Sequence, residues 1–212
     1  MSDNALARYV QEPGVLPQAD ATLAAAGGLT VILAAAPATR AEALGYIQEQ
    51  FRLHFGASIV DDVPILMLCR AASGAVVAAW GLRRLDDGLF SACYLDRELL
   101  DSLSPVSDSP PGVDEVVELS HLSVRHPKVL LALIPLLAQV LAEMKFRYLV
   151  CTATGCLTRF FQRRGFSPLV LAAADRQKLA PDDRDRWGTY YDHNPMVLAG
   201  RIDNALDSRP SR

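Results

Sequence analysis

EVVELSHLSVRHPKVLLALIPLLAQVLAEMKFRYLVCTAT, residues 115–154, decides the fold of this chain. EVVELSHLSV (115–124) is rich in β-branched residues and reads as a strand. Pro127 suits the first position of a helix running to about Lys145, in which Pro135 should force a kink or a local adjustment. YLVCTAT (148–154) returns as a strand. Strand, long apolar helix and strand make a right-handed crossover, so these two strands are expected to be parallel neighbours.

Working downstream, CLTRFFQRRGF (156–166) reads as a helix stopped by Gly165, with strands at 168–174 and 195–202. Upstream, LTVILAAA (29–36) reads as a buried strand and residues 40–55 as a helix. Thr39 and Glu42 have capping-box spacing for that helix, and Gly56 stops it. PILMLCRA (64–71) and AVVAAWGLRRL (75–85) form a hairpin around Ser73-Gly74, and LFSACYL (89–95) reads as a further strand. Residues 1–28 are expected to be an N-terminal arm, 29–202 one domain and 203–212 a flexible tail. A hairpin-rich first half followed by β-α-β-α-β predicts an α/β (α+β) fold, with helices on both faces of a mixed, mainly antiparallel sheet.

Composition narrows the function classes. Half of the 212 residues are hydrophobic, 21% are charged and the net charge is −3. That balance supplies a core, and it offers no basic excess to displace counterions from nucleic acid. The four cysteines and four histidines show neither disulfide nor zinc spacing, so no metal or prosthetic group is expected. The apolar stretches 21–38 and 129–142 lack, respectively, a basic leader and the roughly 20 residues a membrane span needs. The expected compartment is the cytoplasm, without integral membrane association, as a monomer or homodimer.

FRLHFGA (51–57), AWGLRR (79–84), LFSACYLD (89–96), VVELSHLSV (116–124), RFFQRRGFSPL (159–169) and RWGTYYDHNPMVLAGRI (186–202) occur in this order. Together they resemble the thermostable haemolysin family of bacteria. Its pattern is similar to that of the acyl-homoserine-lactone synthases and, more distantly, the GCN5-related N-acetyltransferases. The resemblance implies a GNAT-like sheet with a V-shaped split between its fourth and fifth strands, here 115–124 and 148–154. It implies a thioester donor, acyl-CoA or an acyl-carrier protein, as co-substrate and a small amine-bearing acceptor. Two other readings stand beside acyl transfer: a non-catalytic module that binds an acyl ligand or a partner, and a membrane-active haemolysin.

Within ELSH, Glu118 matches the acidic residue of the synthases' E-x-S-R motif and His121 replaces its arginine. Residues i and i+3 of a regular strand face opposite sides, so a bulge is needed to turn both toward the split. Glu118 then suits a general base and His121 a proton relay or orienting group, against a paired carboxylate and an interior imidazole. Ser120 and Leu122 lie beside them as substrate contacts. Arg83, on the strand where both relatives place an arginine, suits either a carboxylate clamp or a partner for Glu118, and Arg84 reads as surface. Tyr190 and Tyr191 match the thiolate-protonating tyrosine of the acetyltransferases, or they wall the pocket with Trp187. The acetyltransferase phosphate loop is replaced by Arg125-His126-Pro127-Lys128-Val129-Leu130, which lacks both glycines. Arg125 and Lys128 keep only an electrostatic grip on phosphate, which shifts weight to a carrier protein or an unusual acyl-CoA pose, or to an inactive site. A family glutamate in the 89–96 stretch is Ala92 here.

Overall fold

The computed structural model describes residues 19–60 and 63–207. Eight strands form one sheet: β1 Ala21–Ala26, β2 Leu29–Leu33, β3 Ile65–Ala71, β4 Val76–Arg84, β5 Val116–Val124, β6 Tyr148–Ala153, β7 Leu169–Ala173 and β8 Met196–Arg201. Their order is β1-β2-β3-β4-β5-β6-β8-β7. Every neighbouring pair is antiparallel except β5–β6. Four helices matter here: α1 Pro37–Phe55, α2 Pro127–Glu143, α3 Gly155–Arg163 and the short α4 Asp203–Asp207.

The two faces of the sheet are sorted by strand alternation. On one face α1 packs Ala43, Ile47 and Phe51 against Leu66, Leu68 and Ala79. On the other, α2 packs Leu133, Leu137, Val140 and Leu141 against Met67, Trp80, Leu82, Val117 and Leu119. Glu118 therefore points to the α1 face, between two residues that serve the α2 core. Pro135 sits on the exposed side of α2, and the helix runs on through it.

Several local expectations are corrected. Residues 21–26 form edge strand β1 rather than an irregular arm; their alanines carry little strand propensity, and pairing with β2 supplies the order. Residues 1–18 of the expected arm lie outside the described residues, as do 208–212 of the expected tail. Residues 203–207 are helical, and Ala205 packs on the α2 core. The Thr39–Glu42 capping box does not form. Pro37 starts α1, the Thr39 hydroxyl and the Ala35 and Ala36 amides all donate to Asp20, and Glu42 pairs with Arg70. Arg84 is not a surface residue: it is 6% exposed and holds Asp87 at 3.3 Å. The largest correction is at 89–95, where Phe90–Tyr94 is a 3-10 helix instead of a strand. Its first two amides leave the sheet ladder for a side chain described next.

Candidate active site

β5 and β6 pair only from Val116↔Tyr148 to Leu119↔Cys151, and beyond that rung they separate. On its other edge β5 stays paired with β4 out to Val124, but with an irregularity: Gly81 faces Ser120, while Ala79 faces Ser123. One extra residue is accommodated between these pairs, and His121 takes the left-handed backbone conformation, φ 53°. Gly81 is required opposite the bulge, because a Cβ there would lie 2.4 Å from Val63 Cγ1 and 2.6 Å from Ser120 Oγ. The bulge turns Glu118 and His121 into the same cavity despite their i, i+3 spacing.

That cavity has a volume of about 120 Å³ and lies on the α1 face. Glu118, 2% exposed, forms part of its wall. Its two oxygens accept separate hydrogen bonds, from the Phe90 amide at 2.7 Å and the Ser91 amide at 2.8 Å. Burial pushes the Glu118 carboxyl above the ordinary glutamate range, while hydrogen bonds from Ser91 and Phe90 and the charge of Arg83 pull the other way. Arg83 stands directly across the β4–β5 ladder from Glu118. Arg83 does not line the cavity.

His121 stacks on Trp187 with ring centroids 5.8 Å apart and planes 8° from parallel, and Phe51 meets it edge-on at 5.7 Å. Phe55, Phe90 and Tyr190 extend this aromatic wall. The Tyr190 hydroxyl donates to the Thr152 carbonyl at 3.1 Å. Tyr191 does not reach the cavity; its hydroxyl bonds that of Tyr94, which does. Ser120 and Leu122 line the cavity as well.

A second cavity of about 410 Å³ opens on the α2 face. Leu130, Ile134, Leu137, Ala138 and Leu141 of α2 form one side, with β8 and α4 opposite. Leu119, Leu122, Cys151 and Phe161 line both cavities. Two of these four, Leu119 and Cys151, are the last rung of the parallel ladder, so the two cavities adjoin where the strands part. Burial pushes the Cys151 thiol up to about 12, leaving it protonated at neutral pH.

Six of the residues singled out from sequence thus meet in one cavity: Glu118, Ser120, His121, Leu122, Trp187 and Tyr190. Arg125 and Lys128 do not join them. Both are exposed at the start of α2. There the His126 ring nitrogen accepts from the Lys128 amide at 3.1 Å, and the His126 carbonyl accepts from the amides of Val129 and Leu130. Together with Pro127, which has no N–H, this leaves the helix start with its amides spent on its own chain. Ala92 is exposed and outside the cavity wall. Sequence reasoning missed Tyr94, Phe90 and Ser91, whose signal was hidden in a stretch that alternates like a strand. Among the described residues, no group of three or more His, Cys, Asp or Glu is placed to hold a metal ion.

Several solved structures share this architecture. The acyl-homoserine-lactone synthase LasI aligns over 87% of this chain and 98% of its own, with 14% identity and a TM-score of 0.56. FeeM, an N-acyl amino acid synthase from uncultured soil microbes, aligns over 84% and 92%, with 12% identity and a TM-score of 0.55. BjaI, a CoA-dependent acyl-homoserine-lactone synthase solved with SAM and isopentyl-CoA, aligns over 85% and 89%, with 14% identity and a TM-score of 0.53. At such identities the likeness is one of fold, and it is the GNAT-like fold expected. No curated protein matches the sequence. The thermostable hemolysin family model matches residues 33–206, from the last residue of β2 into α4, and the chain belongs to that family.

Proposed function

We propose that the protein is an N-acyltransferase that moves an acyl group from a thioester donor to a small amine-bearing acceptor. The observation that carries this reading is the shared wall at Leu119 and Cys151, where a small polar and aromatic chamber adjoins a large apolar cavity at the point where the strands part. A fatty thioester fits such a place in one sense only: the chain in the apolar cavity and the carbonyl at the bulge. The larger cavity falls within the usual range of small-molecule sites, about 300–1,000 Å³. Attack is direct, because a thiol held at about 12 makes Cys151 a poor nucleophile and no base is paired with it.

In this mechanism the acceptor amine enters the aromatic chamber and gives a proton to Glu118, directly or through water. Arg83 and the two amides of the 3-10 turn hold that carboxylate in place. An amide of the bulged segment 120–122 receives the developing oxyanion. His121, set by its stack on Trp187, orients the acceptor. Leu122 and Ser120 contact the acyl carbonyl side of the substrate.

The donor is read as an acyl-carrier protein or an acyl-CoA held without an amide cradle for its pyrophosphate. Residues 119–174 carry seven Lys and Arg against a single acid, Glu143, in a chain whose net charge is −3. Because β5 and β6 are parallel, α2 and α3 both start at the separating end of the split. Arg125, Lys128 and Arg159 therefore offer electrostatic attraction for an anionic carrier there.

Purified protein incubated with acyl-CoA and acyl-carrier-protein panels, amino acids and S-adenosylmethionine should release free thiol. Release that survives Glu118→Gln at full rate removes the proposed base. Thermal stabilisation by acyl thioesters with no thiol release under any pairing favours the binding-module reading instead. The family's haemolytic name fits the same chemistry where the acceptor also bears a carboxylate, since the N-acylated product is then an anionic detergent. No described helix is long and apolar enough to cross a membrane. A boiled organic extract of the reaction should then lyse erythrocytes, whereas leakage of liposomes by the pure protein alone supports the membrane-active reading.

A further inference from the structure

The chamber on the α1 face is charged in one sense only. Glu118 forms part of its wall, and among the described residues no lysine or arginine lines it. Arg83 stands beside Glu118 across the β4–β5 ladder and stays outside the wall. Of the wall residues only His121 is able to carry positive charge, and its ring lies flat on the Trp187 indole. It occupies the position at which the synthases' E-x-S-R pattern has an arginine.

The rings of Phe51, Phe55, Phe90, Trp187 and Tyr190 make up the aromatic part of the wall. Ring faces carry the negative end of the quadrupole and attract an ammonium group. Across the split, Thr152 is the first residue of β6 beyond the last rung with β5, and it lines the same chamber. Its Oγ1 is buried and has no hydrogen-bond partner among the described residues, while its carbonyl is taken by Tyr190. A buried hydroxyl without a partner and a buried carboxylate both gain from an N–H donor that arrives with the ligand. A ligand carboxylate would instead meet Glu118 with no lysine or arginine in the wall to neutralise it, a costly arrangement of buried charge.

Resting on the acyl-transfer reading, we infer that the acceptor is a short aliphatic diamine rather than an amino acid. Its reacting amine lies between Glu118 and the Thr152 hydroxyl, and its distal ammonium sits against the aromatic faces. The reacting nitrogen, as free amine, bonds the thioester carbon and passes one proton to Glu118. The C–S bond breaks, and the sulfur takes a proton from solvent, to which Glu118 returns its own. The products are a monoacylated diamine and a free thiol. The amide keeps its distal ammonium, so with a fatty donor it is the cationic counterpart of the detergent that a carboxylate-bearing acceptor would give.

The test uses acceptors that differ by one group, with a single acyl thioester donor, thiol release as the rate and product mass as the identity. Cadaverine and lysine differ by a carboxylate; cadaverine and pentylamine differ by the second ammonium. In kcat/KM, cadaverine should exceed lysine by about 10²-fold or more, because the rejected group is a buried unpaired charge. It should exceed pentylamine by about tenfold, the scale of a desolvated cation–π contact. His121→Arg, which adds a permanent cation to the wall, should shrink the cadaverine-to-lysine ratio by about tenfold whatever its absolute rate. Thr152→Val should raise KM for cadaverine by about tenfold, and an unmoved KM overturns the Thr152 contact. Lysine or pentylamine used as well as cadaverine, or a ratio unmoved in His121→Arg, overturns the diamine assignment and leaves acyl transfer standing. No thiol release with any amine or amino acid sinks the acyl-transfer reading itself, and this assignment falls with it.

Discussion

The two edges of β5 differ in a way that organises the whole molecule. Along β4 the strand is paired to its end, with a bulge that costs one rung; along β6 it is paired for four rungs and then abandoned. The first edge rotates side chains, bringing Glu118 and His121 to one face. The second parts the sheet where the chamber of about 120 Å³ and the cavity of about 410 Å³ share a wall. A single strand can thus aim reactive groups on one side and admit a chain on the other. The chamber is aromatic and polar, and the cavity is aliphatic, which is the division a head-and-tail substrate demands.

That contrast can be broken on either side. The largest effect is expected from Glu118→Gln, which should cut turnover about 10²–10⁴-fold if the carboxylate is the base. The parent rate should rise with pH through an inflection above the usual glutamate value of 4.5, because burial raises the Glu118 carboxyl and only its ionised form accepts a proton. A steady-state pH profile checks the sign. Next, Gly81→Ala should destabilise the fold by about 1–3 kcal/mol by forcing a Cβ into Val63 and Ser120 opposite the bulge, read by denaturant titration. Leu137→Trp fills the cavity only, and should lower kcat/KM about tenfold for long-chain donors while sparing acetyl donors. Smallest, Tyr190→Phe loses one hydrogen bond to Thr152 and should cost about 1 kcal/mol of stability, with turnover little changed.

The same two edges explain what the sequence disclosed. β5, α2 and β6 carry strong periodicity over long runs, so the crossover and the parallel pair are legible from residues alone. Glu118 and His121 are legible as candidates, but their meeting depends on the bulge, which no residue type in ELSH announces. The Phe90–Tyr94 turn is hidden for a related reason. Its residues alternate acceptably for a strand, and only the distant carboxylate of Glu118, 27 and 28 residues on, draws their amides out of a ladder. β1 was obscured by its alanines, and α4 by its brevity. Arg84 misled because its partner Asp87 lies in a turn that looks exposed. Long-range hydrogen bonding to a buried carboxylate decides the Phe90–Tyr94 turn and an i, i+3 ion pair decides Arg84, and periodicity registers neither.

Gly188 sets a limit on how the chamber fills. A Cβ at that position would fall 2.0 Å from the Phe55 carbonyl oxygen, the neighbouring Thr189 amide bonds the same oxygen at 2.9 Å, and Ser58 bonds Arg186. The loop bearing Trp187 is therefore riveted to the end of α1. It cannot swing aside like a hinged door unless the helix travels with it. Ligands that displace the indole must tilt a nineteen-residue rod, so traffic is steered to the gap between the diverging strands.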